Sequence, residues 1–328
     1  MTALEERPAP PRRRRPDALH LLFVGALVLL LCRPLLQDAL DGPAVGAWAT
    51  VFVSICLQAL PFLVLGVLVS GAITAFVPPS AFVRLLPRNQ ALAVPVAGAA
   101  GVLLPGCECG SVPVAGGLMD RGVPRAAALT FLLAAPAINP VVLVATAVAF
   151  PGRPEVWLAR FGASLLAAVV VGWLWLRFGR DAWITRRARA HVHGESRWEA
   201  FRSTAKHDFL HAGGFLVLGG ITAATLNVVV PRELYVAVAD DPVLSVLALA
   251  GLAVVLAICS EADAFVAASL SEFSGTAVLA FMVVGPMVDV KLVALQSGSF
   301  GRAFAARFAP VTFVAATLSA VLVGSLLL

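Results

Sequence analysis

Long apolar segments separated by short polar stretches are the dominant pattern along the chain. A helix that crosses the roughly 30 Å hydrocarbon core of a bilayer needs about 20 predominantly apolar residues. Segments that reach or approach this length are residues 18–36, 45–77, 124–150, 156–176, 209–230, 275–295 and 308–328. The pattern therefore predicts an all-α polytopic membrane protein with about seven full spans.

Two further apolar regions are interrupted too early to cross as single helices. Residues 91–104 would form a helix of about 21 Å at roughly 1.5 Å per residue, after which Pro105-Gly106 breaks it and residues 110–120 follow. The second region covers residues 243–272 and turns near residues 260–263. We interpret each region as a re-entrant hairpin. If the hairpins cross fully instead, the protein has about eight to ten spans, and the pattern leaves both arrangements open.

The two interrupted regions occupy equivalent places in an internal repeat. The pentapeptide Phe-Leu-Val-Leu-Gly at residues 62–66 recurs unchanged at residues 215–219, and Val-Pro at residues 77–78 recurs at the same offset. Cys107 then aligns with Cys259, and residues 135–139 align with residues 285–289. Because these matches occur in the same order with slowly drifting offsets, they indicate a duplicated chain.

Charged residues orient the two halves of the repeat. The linker at residues 78–90 carries Arg84 and Arg88 but no acidic residue, whereas the equivalent linker at residues 231–242 carries Arg232 and three acidic residues. Loops rich in Lys and Arg favour the cytoplasmic side of a membrane, so the equivalent linkers are expected on opposite sides. This predicts an inverted-topology internal repeat, an arrangement found in many secondary transporters.

Composition sets limits on the function. The chain is 60% hydrophobic and 13% charged, with a mean hydropathy of +0.92, which is too apolar for a soluble protein. The net charge of +5 is concentrated at residues 12–15 and in the loop 177–208, so we interpret it as a positive-inside signal rather than a nucleic-acid site. The predicted parts are a basic arm with the first span (1–44), a first repeat half (45–176), a basic cytoplasmic loop (177–208) and a second repeat half (209–328), with the N-terminus in the cytoplasm.

Residues that carry chemistry lie where the apolar pattern is broken. Cys107, Glu108 and Cys109 follow Pro105-Gly106 directly, with Ser111 just beyond them. Ionisable residues at membrane depth are functional candidates, and paired thiols favour soft metals and metalloids. We therefore expect Cys107 and Cys109 to bind a metal or metalloid substrate, with Ser111 also in contact with it. Glu108 is expected to bind the substrate as an oxygen ligand or to act as a proton-coupling group. The alternative is that each cysteine is only a small buried hydrophobic residue.

The second interrupted region offers a more acidic set of residues. Cys259 and Ser260 are expected to contact the substrate, while Glu261 and Asp263 are expected to carry protons. Carboxylates at membrane depth are costly and tend to be functional. The alternative is a structural one, since Ser260, Glu261 and Asp263 are also residue types that favour a helix N-terminus.

Asn139 and Asp289 hold equivalent places, three residues after Pro136 and Pro286. A proline inside a spanning helix frees a backbone carbonyl, and a polar residue nearby can join a polar cluster there. We assign Asn139 to substrate binding and Asp289 to proton coupling. The alternative is that Lys291, two residues after Asp289, marks the cytoplasmic end of that helix.

Several of these motifs resemble those of a bacterial predicted-permease family that includes organoarsenical efflux permeases. The motifs are Pro-Gly-Cys-Glu-Cys-Gly-Ser-Val-Pro-Val at residues 105–114, Phe-Leu-Leu-Ala-Ala-Pro-Ala-Ile-Asn-Pro at 131–140, Cys-Ser-Glu-Ala-Asp-Ala-Phe-Val-Ala at 259–267 and Gly-Pro-Met-Val-Asp at 285–289. The resemblance implies a multi-pass permease of the bacterial inner membrane. It implies export of trivalent organoarsenicals or soft metal ions, with Cys107 and Cys109 as the substrate-handling pair.

The sequence thus predicts a secondary, proton-coupled efflux permease for a thiophilic substrate, with no cofactor. Phosphate-binding loops, metalloprotease motifs and nucleophile turns are all missing from the sequence, so neither an enzyme nor an ATP-driven pump is expected. The expected partners are the lipid bilayer and a small inorganic or organometalloid substrate, and a homo-oligomer is compatible with the sequence. The alternative is an intramembrane thiol redox protein or a protein that holds a metal for a partner.

Overall fold

The computed structural model describes residues 43–76, 86–103, 108–185, 196–229 and 241–328. Within these residues the secondary structure is helical and contains no strand, which confirms the predicted all-α class. The predicted first span at residues 18–36, the basic arm, residues 186–195 of the basic loop and Cys107 lie outside the described residues.

The described α-helices are numbered here in chain order. They are α1 (Pro43–Phe76), α2 (Gln90–Ala100), α3 (Glu108–Asp120), α4 (Arg125–Ile138), α5 (Pro140–Ala149), α6 (Pro154–Phe178), α7 (Arg197–Val229), α8 (Pro242–Leu256), α9 (Asp263–Ser269), α10 (Gly275–Val284), α11 (Val290–Phe300) and α12 (Arg302–Leu327). Short 3-10 turns follow α2 at Gly101–Leu103 and α6 at Asp181–Trp183.

Five helical segments of the described chain are long and apolar enough to cross a membrane. They are Ala44–Phe76, Arg125–Ala149, Pro154–Phe178, Arg197–Val229 and Arg302–Leu327. Each overlaps one of the predicted spans. Shorter apolar helices at Gln90–Leu103, Pro242–Leu256 and Gly275–Val284 complete the apolar set.

Two predicted spans contain a helix break. In the span 124–150 the break is short, because α4 ends at Ile138 and α5 begins at Pro140. Residues 275–295 were expected to cross as one helix, but α10 ends at Val284 and α11 begins at Val290. Pro286 lies inside this gap, and proline lacks the N–H that a continuing helix requires. The segment is therefore a broken helix pair instead of a single span.

The helix α7 begins well before the apolar segment that predicted it. Ser196 and Glu199 form a reciprocal cap, in which the Glu199 N–H donates to Ser196 Oγ (3.2 Å) and the Ser196 N–H donates to Glu199 Oε2 (2.9 Å). Such a capping box satisfies two N–H groups at the start of a helix. The end of the predicted basic loop is accordingly helical from Arg197 onward.

The helices follow the same order in the two halves of the chain. Each half has a long helix (α1, α7), a short apolar helix (α2, α8), a helix that follows the polar motif (α3, α9), a broken pair (α4 with α5, α10 with α11) and a closing long helix (α6, α12). In each broken pair a polar side chain caps the second helix. Asn139 Oδ1 accepts the Val142 N–H (3.0 Å), and Asp289 Oδ1 accepts the Leu292 N–H (2.5 Å).

The core is built around the equivalent helices α4 and α10. Nearly every residue of α4 from Ala126 to Ile138 is buried, and so is every residue of α10 from Ala277 to Val284. A helix that is apolar on all sides belongs inside a bundle. The helix α2 packs on α4, α8 packs on α10, α6 packs along α12, and α7 packs along α11. The motifs that begin α3, α9 and α11 thus lie against a protein interior.

Candidate functional site

Residues 108–111 of the first polar motif form the start of α3 in the protein interior. Glu108 is the first residue of α3, and both Glu108 and Cys109 are completely buried. The Ser111 hydroxyl, also buried, donates a hydrogen bond to the Glu108 carbonyl (3.0 Å). A buried carboxylate needs a charged partner or a dense set of hydrogen bonds. The partner of Glu108 comes from the other half of the chain.

That partner is Lys291, near the start of α11. The Lys291 ammonium contacts Glu108 Oε1 and lies 3.6 Å from Asp289 Oδ2, while its side chain is only 2% exposed. Lys291 is therefore a buried, paired residue and does not lie at an exposed helix end. In a membrane protein sequence, a lysine close to a helix break is typical of the membrane interface. Here the break itself is buried, so Lys291 lies in the protein interior.

A second buried ion pair joins α6 to the start of α9. Arg160 donates from Nη2 to Asp263 Oδ2 (2.7 Å) and to the Ser260 carbonyl (3.2 Å), and from Nη1 to Thr146 Oγ1 (2.9 Å). The Arg160 side chain is fully buried. Asp263 thus balances a buried guanidinium, and no side-chain cap closes the start of α9. The alternative assignment of Asp263 as a helix cap is not what the structure shows.

The two ion pairs belong to one charged cluster. Glu108 interacts electrostatically with Asp263 as well as with Asp289, and Glu261 also interacts with Asp263. Cys109 and Cys259 each interact electrostatically with Lys291. We call this set the charge cluster. Its members are Glu108, Cys109, Arg160, Cys259, Glu261, Asp263, Asp289 and Lys291.

Several polar atoms at the second motif have no hydrogen-bond partner among the described residues. They are Ser260 Oγ, both carboxylate oxygens of Glu261 and Asp263 Oδ1. Buried polar atoms are nearly always paired in folded proteins, and exceptions concentrate at functional positions. The backbone is also unusual just before this motif, because Ala257 adopts a left-handed conformation with φ of 49°. A residue with a Cβ rarely adopts this conformation, and strained backbone of this kind clusters at active and binding sites.

The repeated pentapeptide positions both sides of the charge cluster. A Cβ atom built on Gly66, its last residue in the first half, would lie 2.5 Å from the Cα of Gly110. A Cβ atom on the equivalent Gly219 would lie 2.8 Å from the Cα of Lys291. Real side chains do not approach so closely, so only glycine lets α1 reach the start of α3 and lets α7 reach the start of α11. The last glycine of each pentapeptide therefore lies where a long helix packs against the helix that carries Glu108 or Lys291.

Asn139 is buried at the break between α4 and α5. In addition to its cap of α5, its Nδ2 donates to the Ala135 carbonyl (3.0 Å). These two bonds hold the helix break together. Asp289 makes the equivalent cap and in addition approaches Lys291, so the two aligned residues share one structural role and differ in charge.

The chain matches known proteins over nearly all of its described part. A family model described as a predicted permease matches residues 45–325. The chain belongs to the predicted permease family. This confirms the resemblance drawn from the motifs, and it supports a multi-pass membrane permease rather than an enzyme.

Two curated relatives of this permease cover most of the chain. One is the UPF0718 protein YcgR of Bacillus subtilis, 36% identical over 285 residues, which is 85% of this chain and 95% of the relative. The other, from Streptococcus mutans, is named as a subunit of a two-component membrane permease complex and is 33% identical over 283 residues, 84% of this chain and 94% of the relative. No solved structure matches the chain.

The expected metal pair of this permease stays a prediction, because Cys107 lies outside the described residues. Within the described ranges, no group of three or more His, Cys, Asp or Glu side chains is placed to hold a metal ion. Cys109 and Cys259, one from each half of the chain, both interact electrostatically with Lys291.

Sequence reasoning missed Arg160, which pairs with Asp263. The sequence does indicate a buried charge here, since an arginine occurs near the start of the predicted apolar span 156–176. A charged residue inside a spanning segment faces the protein interior and has a partner there. The partner, however, is 103 residues away in sequence, and nothing in the sequence pattern connects the two.

Proposed function

We propose that this permease is a secondary, proton-coupled exporter of a thiophilic substrate, a trivalent arsenical or a soft metal ion. The observation that carries the proposal is the charge cluster, which joins thiols, carboxylates and two cations at the helix breaks of both halves. Buried ionisable groups at membrane depth mark substrate pathways and proton relays. Broken helices that meet between two repeat halves are a common form of transporter binding site.

The charge count supports coupling to protons. The described cluster has four carboxylates (Glu108, Glu261, Asp263 and Asp289) but two cationic side chains (Arg160 and Lys291). An uncompensated buried charge costs several kcal/mol. The surplus acidic groups are therefore expected to hold protons or to face a cationic substrate, and exchange between these two states is proton-coupled transport.

The order of the helices supports an inverted-topology repeat. Both halves contain the same five units in the same sequence, and equivalent glycines seat the two long helices against the cluster. Combined with the opposite charge of the two linkers, this arrangement suits alternating access by movement of one half against the other. We infer a bacterial inner-membrane location with a cytoplasmic N-terminus, and substrate access to Cys107 and Cys109 from the cytoplasm.

A partner subunit is part of the proposal. The Streptococcus mutans relative is named as a subunit of a two-component membrane permease complex. We extend this arrangement to the present chain, and a homo-oligomer is the alternative assembly. Purification of the tagged chain from its native membrane, followed by mass spectrometry of the retained proteins, distinguishes a second protein from further copies of the same chain.

Transport into everted vesicles tests the function. Vesicles that carry the chain are expected to accumulate phenylarsenite or Cd²⁺ when a proton gradient is imposed, and a protonophore should abolish the accumulation. Cys107→Ser and Cys109→Ser should each reduce uptake at least tenfold, because thiolate ligands bind soft ions far better than hydroxyls. Cys56→Ser, at a partly exposed position of α1, is the matched control and should transport normally.

If vesicles that carry either cysteine substitution still accumulate the substrate at the normal rate, the proposal is wrong. The thiol redox alternative makes a different prediction for purified protein, namely a thiol pair that titrates reversibly with dithiothreitol or a metal that copurifies in stoichiometric amount. Either of these results without gradient-driven uptake would favour that alternative.

A further inference from the structure

A cavity away from the charge cluster lies where the end of α6 packs against the start of α12. Its volume is about 460 Å³, within the range of roughly 300–1,000 Å³ that is usual for small-molecule sites. Trp175 of α6 makes edge-to-face contacts with Phe304 and Phe308 of α12, with ring centroids 5.5 and 6.2 Å apart. The lining is almost entirely apolar and includes Val171, Trp175, Phe178, Trp183, Phe308 and Val311. No residue of the charge cluster belongs to it, so the cavity is a separate site for an apolar group.

The cavity opens toward the outer surface of the helix pair. Leu174, Phe178 and Val311 all line it and are all exposed. Both α6 and α12 are long and apolar enough to cross a membrane, and exposed apolar surface on such a protein marks contact with lipid or with a partner. The acyl chain of a lipid is therefore the apolar group with direct access to the cavity.

Arg307 is the charged residue of this lining. Its Cζ atom lies 5.0 Å from the centroid of the Trp183 ring, and its Nη1 donates a hydrogen bond to the Ala303 carbonyl (2.8 Å). These contacts fix the guanidinium beside the cavity, while the hydrogen bond uses one of its five N–H donors. A guanidinium held in this way is well suited to bind a phosphate group, and tryptophan side chains are enriched at the depth of lipid headgroups.

More positive charge lies at the same end of the helices. Arg177 and Arg180 are exposed and adjoin the lining residues 178–179. The acidic residue nearby, Asp181, is already paired with Arg125. In the described part of the chain neither Arg177, Arg180 nor Arg307 forms an ion pair. Basic pockets between spanning helices on the cytoplasmic side bind anionic lipid headgroups, and the sequence predicts that this end is cytoplasmic.

We infer that this cavity binds one anionic phospholipid of the cytoplasmic leaflet, with an acyl chain in the groove between α6 and α12 and its phosphate at Arg307. The two parts of the site select the ligand together. A free phosphate has no group for the apolar groove, and a zwitterionic lipid brings a cation of its own toward the arginines. The inference concerns a part of the molecule outside the proposed transport site and holds for any cargo.

Lipid binding to the purified full chain tests the headgroup. Phosphatidylglycerol and phosphatidylcholine with identical acyl chains are titrated, and bound lipid is counted by native mass spectrometry. The unmodified protein should prefer phosphatidylglycerol about tenfold, and Arg307→Gln should lower the preference to about twofold, because one basic residue contributes a factor of about five toward anionic lipid. Arg202→Gln is the matched control. Arg202 is also exposed and stacks on a tryptophan, with Cζ 5.2 Å from the Trp198 ring, but it lies on α7 and should keep the full preference.

A variant that fills the groove tests the acyl chain. Ala306 lines the cavity, and Ala306→Phe should weaken binding of both lipids severalfold while it leaves Arg307 in place. Glycerol phosphate, which has the headgroup chemistry without chains, should not displace phosphatidylglycerol at equal concentration. If Arg307→Gln does not yield folded protein, Trp183→Leu replaces it, since it removes the ring that holds the guanidinium, and should show the same loss of preference.

Three results would overturn the inference. The first is equal affinity of the unmodified protein for the two lipids. The second is an equal loss of preference in Arg202→Gln, which would show that binding follows the overall positive charge rather than this site. The third is lipid binding that Ala306→Phe leaves unchanged, and a dimer in the same spectra that this variant dissociates would assign the groove to a second copy of the chain instead.

Discussion

The two buried ion pairs of this permease are built differently. Arg160 is held by Asp263, by the Ser260 carbonyl and by Thr146, so its guanidinium has acceptors on several sides. Lys291 has contacts with Glu108 and Asp289 alone among the described carboxylates, and its stem starts beside a helix break. The first pair has the features of a structural clamp between the halves. The second has the features of a contact that can open and close, and four predictions test this difference, from the largest effect to the smallest.

Removal of the clamp should have the largest effect on stability. Arg160→Met leaves Asp263 buried without its cation, and breaking a buried pair in this way costs about 3–5 kcal/mol. Thermal unfolding in detergent, followed by tryptophan fluorescence, measures the loss. Arg153→Met is the control, because Arg153 and its partner Glu155 are substantially exposed and should contribute little. Equal melting of the two variants would contradict the role of Arg160 as a clamp.

Substitution of the seating glycine should have an intermediate effect. Gly219→Ala places a Cβ against the Cα of Lys291, and overpacking of this kind costs about 1–3 kcal/mol. Gly214→Ala lies on the same helix with nothing within 4 Å of the added atom, so it should be neutral or slightly stabilising. The same thermal melts compare the pair, and transport should fall for Gly219→Ala only. If both variants behave alike, the close approach has no role in seating α11.

Neutral replacement of Lys291 and its carboxylate partners should affect transport without a comparable effect on the free energy of unfolding. In the triple variant Glu108→Gln, Asp289→Asn and Lys291→Met, the ammonium and both carboxylates that it contacts are neutralised together, and buried charges replaced in this way are often neutral in stability. We expect melting within about 1 kcal/mol of the unmodified protein but no cation transport. The corresponding double variant of Arg160 and Asp263 should be less stable, because Thr146 and the Ser260 carbonyl also lose their donor. Chemical denaturation in mixed micelles provides the comparison.

The smallest expected change in stability is at the helix break before α11. Asp289→Asn keeps an N-cap oxygen for the Leu292 N–H while it removes a charge near Lys291, so stability should change by less than about 1 kcal/mol. Export should nevertheless fall, since a carboxylate contact to the cluster is lost. Asp289→Ala, which removes the cap as well as the charge, is the comparison and should lose about 1 kcal/mol more. Export that is unaffected by Asp289→Asn would show that Asp289 is a cap and nothing more.

The candidate site could be predicted in part because polar residues in apolar segments are conspicuous. Glu108, Asp263 and Asp289 were all selected from sequence, and the structure buries each of them with a cationic partner. Lys291 was considered only as a helix end, because its nearest neighbours in sequence indicate a boundary. The capping box that starts α7 at Ser196 was also readable, but the polar composition of that stretch led to a loop assignment.

What the sequence by itself determined is the class of protein: helices of sufficient length and apolarity to cross a membrane, polar motifs at their breaks, and a duplicated order of elements. These properties are local, since length, hydrophobicity and turn residues act within one segment. Tertiary structure alone decided which charge neutralises which. Arg160 and Asp263 are 103 residues apart, Glu108 and Lys291 come from opposite halves, and their pairing depends on how closely the helices approach at Gly66 and Gly219. Ion pairs act over a few ångströms, so only the packed fold could select them.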